Sequence, residues 1–204
     1  MSTPPVPARS APLRLYLIRH GQTEWSLSGQ HTGRTDIPLT AHGEEEARRL
    51  AAPLGAVTFD RVLCSPRIRA RRTAELAGMN VPIETEPDLA EWDYGEFEGR
   101  RSVDIRKDWP AWEVFRDGCP GGESVADMTA RVDRLIGKLS LLSGTVALFS
   151  HGHLGRSFVT RWAGLPLIEA QHFMLGTATY SILGFDPSHP DMRVISSWNV
   201  TPAP

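Results

Sequence analysis

Two histidines in this sequence keep the same company. His20 stands between Arg19 and Gly21, His151 opens a His-Gly-His run with Gly152 and His153, and between them PRIRARR carries Arg67, Arg69, Arg71 and Arg72. Imidazole beside guanidinium suits phosphate. Arg offers forked donors matched to phosphate oxygens, a neutral imidazole nitrogen is a nucleophile near neutral pH, and a helix starting after Gly152 would add backbone N–H groups at its positive end. One histidine among seven is more often structural, and it is the repeated pattern, with Arg between, that points to function. His31, His42, His172 and His189 lack such neighbours and read as surface or core residues, with His153 intermediate between the two classes.

Competing phosphate chemistries fail on spacing. No GxxxxGK[ST] loop occurs, so nucleotide hydrolysis by that route is excluded. A cysteine phosphatase needs Arg six residues after its nucleophile, whereas Cys64 is followed there by Ala70 and Cys119 by Val125. His151 and His153 have neither an acidic cluster nor an HExxH helix beside them, so no metal and no other cofactor is expected. Histidine remains as the nucleophile, and a phosphohistidine divides one difficult displacement into two.

These residues need elements that bring them together. LRLYLI (13–18) and TVALFS (145–150) are apolar runs ending in the two histidine clusters, the pattern of buried strands that deliver their carboxyl ends to a site. Residues 59–64 read as another strand. Thr40 is placed to cap a helix with Glu44, Glu45 and Glu46 in its first turns and Ala47, Leu50, Ala51 and Leu54 on its inner face. Ser65 and Pro66 read as the cap and first residue of a helix ending at Gly78. The clearest amphipathic pattern runs from Val125 to Leu142, opening at Glu123 or Ser124. A helix is expected from the SHGHLGR cluster to about Trp162, and ATYSILGF and MRVISSWN read as closing strands. Residues 82–122 lack periodicity and read as a long, partly ordered functional segment packed down by Trp92, Trp109 and Trp112. The alternation predicts an α/β fold, a three-layer α/β/α sandwich with a mainly parallel central sheet, in a single domain over 13–204 behind a flexible Pro-rich tail over 1–12. Parallel strands place their carboxyl ends on one sheet edge, where the clusters converge.

Composition narrows the setting. A 204-residue chain with 41% apolar and 23% charged residues is globular in character. A net charge of −2 supplies no basic field for nucleic acid or acidic membrane. Two cysteines do not make a disulfide framework, and no apolar run is long enough to span a bilayer, so a cytoplasmic protein is expected.

LYLIRHGQTEW (15–25) resembles the signature of the histidine phosphatase superfamily, which includes the cofactor-dependent phosphoglycerate mutases. SPRIRARRTA (65–74), EWDYGEFEG (91–99) and SHGH (150–153) are similar to three further superfamily elements, in the same order. The resemblance implies a phosphoglycerate mutase-like fold and a phosphoric monoester hydrolase in which His20 attacks phosphorus, Arg19 and Arg69 grip its oxygens, His151 donates to them and Glu91 is the proton donor. Spacing alone leaves Glu96 and Glu98 open beside Glu91. Gly21, Thr23 and Gly152 are candidates to hold the phosphate, Thr23 equally a stabiliser of its turn. The mutase pattern RHGxSxWN has Ser26 in place of its Asn, and Trp92 stands where mutases carry an Arg, which favours hydrolysis over phosphoryl return. The chain is most similar to the acid phosphatase and sedoheptulose bisphosphatase-like group. That implies a sugar phosphate or similar small phosphate ester as partner, with Arg34 and Arg116 as candidates for a second phosphate or sugar hydroxyls, or else as surface charges. A mutase and a non-catalytic phosphate-binding protein stand as alternatives, and a homodimer is compatible with all three.

Overall fold

The structure, a computed structural model, describes residues 12–203. The expected tail lies outside the described residues apart from Pro12. Its frame is a six-stranded sheet in the order β3-β2-β4-β1-β5-β6, formed by β1 (Arg14–Arg19), β2 (Arg61–Cys64), β3 (Ile83–Thr85), β4 (Thr145–Ser150), β5 (Tyr180–Phe185) and β6 (Arg193–Val200). The first four strands in that order are parallel, and β5 and β6 add an antiparallel edge.

The apolar strands are buried on both faces, and the two-residue period divides them between two cores. Leu15, Leu17, Val146 and Leu148 enter one core, and Tyr16, Ile18, Ala147 and Phe149 the other. The first core is covered by α7 (Val125–Leu139) and α8 (Gly152–Trp162), with α5 (Ser102–Asp108) and α6 (Val114–Asp117) beside them; the second by α2 (Ala41–Arg49), α3 (Ala51–Gly55) and α4 (Ile68–Leu76). A short α1 (Glu24–Ser28) follows the first histidine cluster. This is the expected sandwich, with helices on both faces of a mainly parallel sheet.

Several expectations are refined. Thr40 does cap α2, its hydroxyl accepting from Gly43 N at 2.9 Å, but the expected continuous helix breaks at Leu50. Pro53 has no N–H for the carbonyl four residues back and its ring crowds that position, so α3 restarts at Ala51, which is exposed. Ser65 does not cap α4. Its hydroxyl is bound to His151, the helix opens at Ile68, and Asp36 Oδ1 accepts the Ile68 N–H at 3.1 Å. Ser124 caps α7 through a reciprocal bond with Asp127; Leu142 packs beyond the helix end. The segment 82–122 is more regular than its pattern suggests, holding β3, α5, α6 and two 3₁₀ turns, Pro87–Leu89 and Gly95–Phe97. Trp92 and Trp112 are buried in it, but Trp109 is 40% exposed. The two buried indoles satisfy their N–H groups, Trp92 donating to Glu123 O and Trp112 to Gly118 O, each stapling a loop down.

Candidate active site

Strand register builds the site. In the parallel β1–β4 pair Arg19 lies opposite Ser150, so the next residues, His20 and His151, emerge side by side with ring centroids 5.2 Å apart. His20 borders a cavity of about 280 Å³ whose wall also includes Arg19, Glu91, Gly152 and His153. Nδ1 of His20 lies 2.7 Å from the Gly21 carbonyl. A carbonyl only accepts, so Nδ1 carries the proton and Nε2 keeps its lone pair. Burial, then the charges of Arg69 and Arg19, hold this imidazole well below its ordinary pKa. It is a neutral, oriented imidazole whose Nε2 keeps its lone pair.

Arg19 donates to Leu175 O at 2.5 Å, while its Nε is buried with no partner among the described residues. The same side chain lines the cavity, and a guanidinium there is matched to an anion's oxygens. Gly152 permits this placement, since a Cβ there would stand 3.3 Å from Arg19 Cζ. Arg69 is fully buried. It donates to the carbonyls of Thr32, Gly33 and Thr35, and its Nε lies 3.2 Å from His151 Nδ1. Both His151 nitrogens have protein partners, Nε2 reaching Ser65 Oγ at 2.7 Å. Burial and then Arg69 lower the pKa of His151 well below the usual imidazole value.

Glu91 sits at the start of α8, a helix whose N-cap residue, His151, supplies no side-chain cap. Its Oε1 accepts from Trp92 N at 2.9 Å and Leu154 N at 2.8 Å, and Oε2 from His153 N at 3.0 Å. The carboxylate thus occupies the anion position of the helix N-terminus and still borders the cavity. Glu96 and Glu98, equivalent to it on spacing, do not border the cavity; Glu98 is spent on the backbone N–H groups of Gly33 and Thr35.

Other expected residues serve elsewhere. The Gly21 N–H goes to Thr73 Oγ1 at 3.0 Å, and a Cβ on Gly21 would meet Gly43 O at 2.3 Å, so this glycine allows two loops to touch. Thr23 caps α1, accepting from Ser26 N, which is the turn-stabilising alternative. Arg34 pairs with Asp93 at 2.7 Å and borders a neighbouring cavity that Glu91 also reaches. Arg116 pairs with Asp117 and the Ala111 carbonyl and does not border the His20 cavity. Neither arginine is brought to His20. Both cysteines are buried thiols pushed up to about 12 by burial.

The sequence reading missed one wall of the cavity. His31, read as a bystander, is 7% exposed, stacks on Tyr94 with centroids 4.6 Å apart and meets Ser102 Oγ at 3.2 Å. Tyr94 OH in turn lies 2.5 Å from His153 Nδ1. Arg156 joins them, its guanidinium 4.7 Å from the Phe115 ring centroid and donating to Ala170 O and Gln171 O, with no carboxylate partner among the described residues. One clue was legible: His153 and Arg156, three apart on α8, must share a helix face.

The sequence profile of the histidine phosphatase superfamily (branch 1) matches residues 15–200. The chain belongs to this superfamily. This histidine phosphatase is 45% identical over 186 residues to an acid phosphatase of Mycobacterium tuberculosis, covering 89% of this chain and 91% of the relative. It is 34% identical over 185 residues to the sedoheptulose 1,7-bisphosphatase of Saccharomyces cerevisiae, covering 74% and 68%. The solved structure of an open reading frame product from Mycobacterium tuberculosis superposes with a TM-score of 0.86 at 41% identity, covering 93% of this chain and 98% of that one. The fold is therefore phosphoglycerate mutase-like as expected, and the chain is a phosphoric monoester hydrolase of the histidine phosphatase family.

Proposed function

We propose that the chain is a cytoplasmic, metal-independent phosphomonoesterase, built as one catalytic domain, that hydrolyses small phosphorylated metabolites such as sugar phosphates through a phosphohistidine on His20. The observation that carries this reading is the His20 ring, held by Gly21 O through Nδ1 in a cavity walled by Arg19 and Glu91.

In the first half-reaction His20 Nε2 forms a bond to phosphorus as the ester P–O bond breaks, and the departing oxygen takes a proton from Glu91. The Arg19 guanidinium and the start of α8 at Gly152 take the phosphoryl oxygens. His151 offers them its Nε2–H in competition with Ser65, while Arg69 holds the Nδ1 side of the ring and the 32–35 loop in place through the bonds already described. In the second half-reaction water attacks phosphorus, the P–N bond breaks, and Glu91 receives the water's proton. Inorganic phosphate leaves.

The leaving group lies against His31, Ser102, Gln30 and Arg156. These are hydrogen-bonding groups and one cation, suited to sugar hydroxyls or a second anionic group, and they take the part first expected of Arg34 and Arg116. The names of the acid phosphatase and sedoheptulose bisphosphatase relatives are in keeping with such substrates. Trp92 supports hydrolysis over mutase chemistry, since the residue standing where mutases carry an Arg is fully buried and bonded to Glu123 O.

The test is phosphate release from p-nitrophenyl phosphate and from a sugar bisphosphate, with EDTA present, by wild type and His20→Ala. Turnover in EDTA that vanishes in the variant, with an acid-labile phosphoenzyme trapped only in wild type, is expected. Undiminished turnover in His20→Ala would remove the nucleophile, and interconversion of 3- and 2-phosphoglycerate alone would make the chain a mutase.

A further inference from the structure

We propose that Arg131, on α7 and outside the cavity, is the positioning residue that fixes Glu91 for proton transfer, by holding the backbone carbonyls of the segment that carries it. The inference rests on the reading of Glu91 as proton donor.

Residues 88–91 run from within the 3₁₀ turn to the site without a ladder to satisfy their carbonyls, and buried carbonyls need partners. Side chains supply all four. Arg131 Nη1 donates to Asp88 O at 2.9 Å and Ala90 O at 2.7 Å, its Nη2 to Glu91 O at 3.4 Å, and Ser150 Oγ donates to Leu89 O at 2.8 Å. Arg131 is held in turn by Glu123, with Nε to Oε1 and Nη2 to Oε2 both at 2.7 Å. Glu123 continues the clamp past the acid, since its carbonyl accepts from Trp92 Nε1 at 2.8 Å and its N–H donates to Asp93 O at 2.8 Å.

This arrangement is a brace and not a ligand site. The five N–H groups of Arg131 are all engaged within the protein, which leaves none for substrate. Its charge is matched by Glu123, both side chains being 12–13% exposed. The end of Glu91 is fixed by the first turn of α8 and its backbone by Arg131 on α7, so the carboxylate depends on both helices for its position over the cavity. A planar fork reaching two carbonyls from one nitrogen cannot be reproduced by the single ammonium of lysine.

Leaving-group dependence separates this role from general stabilisation. p-Nitrophenolate departs without a proton, whereas the alkoxide of glycerol 2-phosphate needs one, and kcat/KM reports the step in which it leaves. Arg131→Lys is expected to lower kcat/KM for glycerol 2-phosphate about 100-fold, as for a misplaced catalytic group, and to spare p-nitrophenyl phosphate. Glu91→Gln should show the same selectivity in kcat/KM while kcat falls on both esters, because Glu91 also receives the water's proton, and in Arg131→Lys/Glu91→Gln the lysine should add no further loss in kcat/KM. Equal losses on both esters, or full additivity in the double variant, would overturn the proposal. If Glu91→Gln itself is unselective, the acid assignment fails instead. Should Arg131→Lys not fold, Glu123→Gln loosens the same fork and is read by the same two esters.

Discussion

Arg69 Nε donates to His151 Nδ1 at 3.2 Å, joining residues 82 apart in sequence. Because an arginine N–H can only donate, the His151 proton must sit on Nε2, where it is given to Ser65 Oγ at 2.7 Å. A phosphate oxygen entering the cavity would compete with Ser65 for that proton. Ser65→Ala should therefore destabilise the free protein by about 1–3 kcal/mol, the cost of a buried donor without a partner. Inorganic phosphate or vanadate should raise the melting temperature of the variant more than that of wild type. Thermal melts with and without the anion check this, and an equal shift in both proteins would disconnect His151 from phosphate.

The environment of His20 predicts its protonation state directly. With burial and two guanidiniums holding its pKa well below the usual 6.5, the ring stays neutral, Nδ1-protonated, as pH falls through that value. Ring ¹⁵N resonances should show this one tautomer at neutral pH and no titration near 6.5; a titration there would contradict the site's electrostatics.

His31 makes folding stability acid-sensitive. Its value in the fold is about 4 against 6.5 ordinarily, because burial and then Arg106 disfavour its charge. The unfolded chain therefore takes up the proton first. The contribution of His31 is complete above 6.5, is lost as pH falls toward about 4, and is on the order of 3 kcal/mol over that window. Chemical denaturation across this range should show a shallower decline for His31→Phe than for wild type, and identical slopes would refute the assignment.

Two glycines next to the histidines should respond differently to a methyl group. In Gly21→Ala the Cβ meets backbone atoms of Gly43 at 2.3–3.3 Å, so stability should fall by more than about 2 kcal/mol, as in other overpacked positions. In Gly152→Ala the Cβ meets only the end of the Arg19 side chain, nearest atom 3.3 Å, so the fold should survive while Arg19 shifts and kcat/KM falls about tenfold or more. Denaturation midpoints and kinetics on the same two variants distinguish the cases.

Arg156 should select among substrates. Arg156→Gln is expected to raise KM for a sugar bisphosphate about tenfold or more while leaving p-nitrophenyl phosphate little changed, since a charged hydrogen bond is worth about 1.5–3 kcal/mol. A parallel KM comparison on both substrates decides it, and equal effects would detach Arg156 from the leaving group.

Much of the site was legible because chemistry and local pattern coincide in it. Apolar runs ending in Arg19-His20-Gly21 and His151-Gly152-His153 announce buried strands and their site-bearing ends, and β1, β4 and α8 lie where the periodicity placed them. Local pattern also misleads where a residue's partner is remote. Ser65 precedes a proline and a helix, yet its hydroxyl serves His151 from 86 positions away; Thr23 and Gly21 neighbour His20, yet they build the turn.

What the sequence determined by itself is the set of reactive groups and the strands and helices that carry them, because side-chain chemistry and short-range periodicity are local properties. Tertiary structure alone decided which arginines border the His20 cavity, that His31, Tyr94 and Arg156 wall it, and that Glu91 rather than Glu96 or Glu98 meets the first turn of α8. Those outcomes depend on strand register and loop packing between segments far apart in the chain, where the spacing of residues along the sequence says nothing about their distance in space.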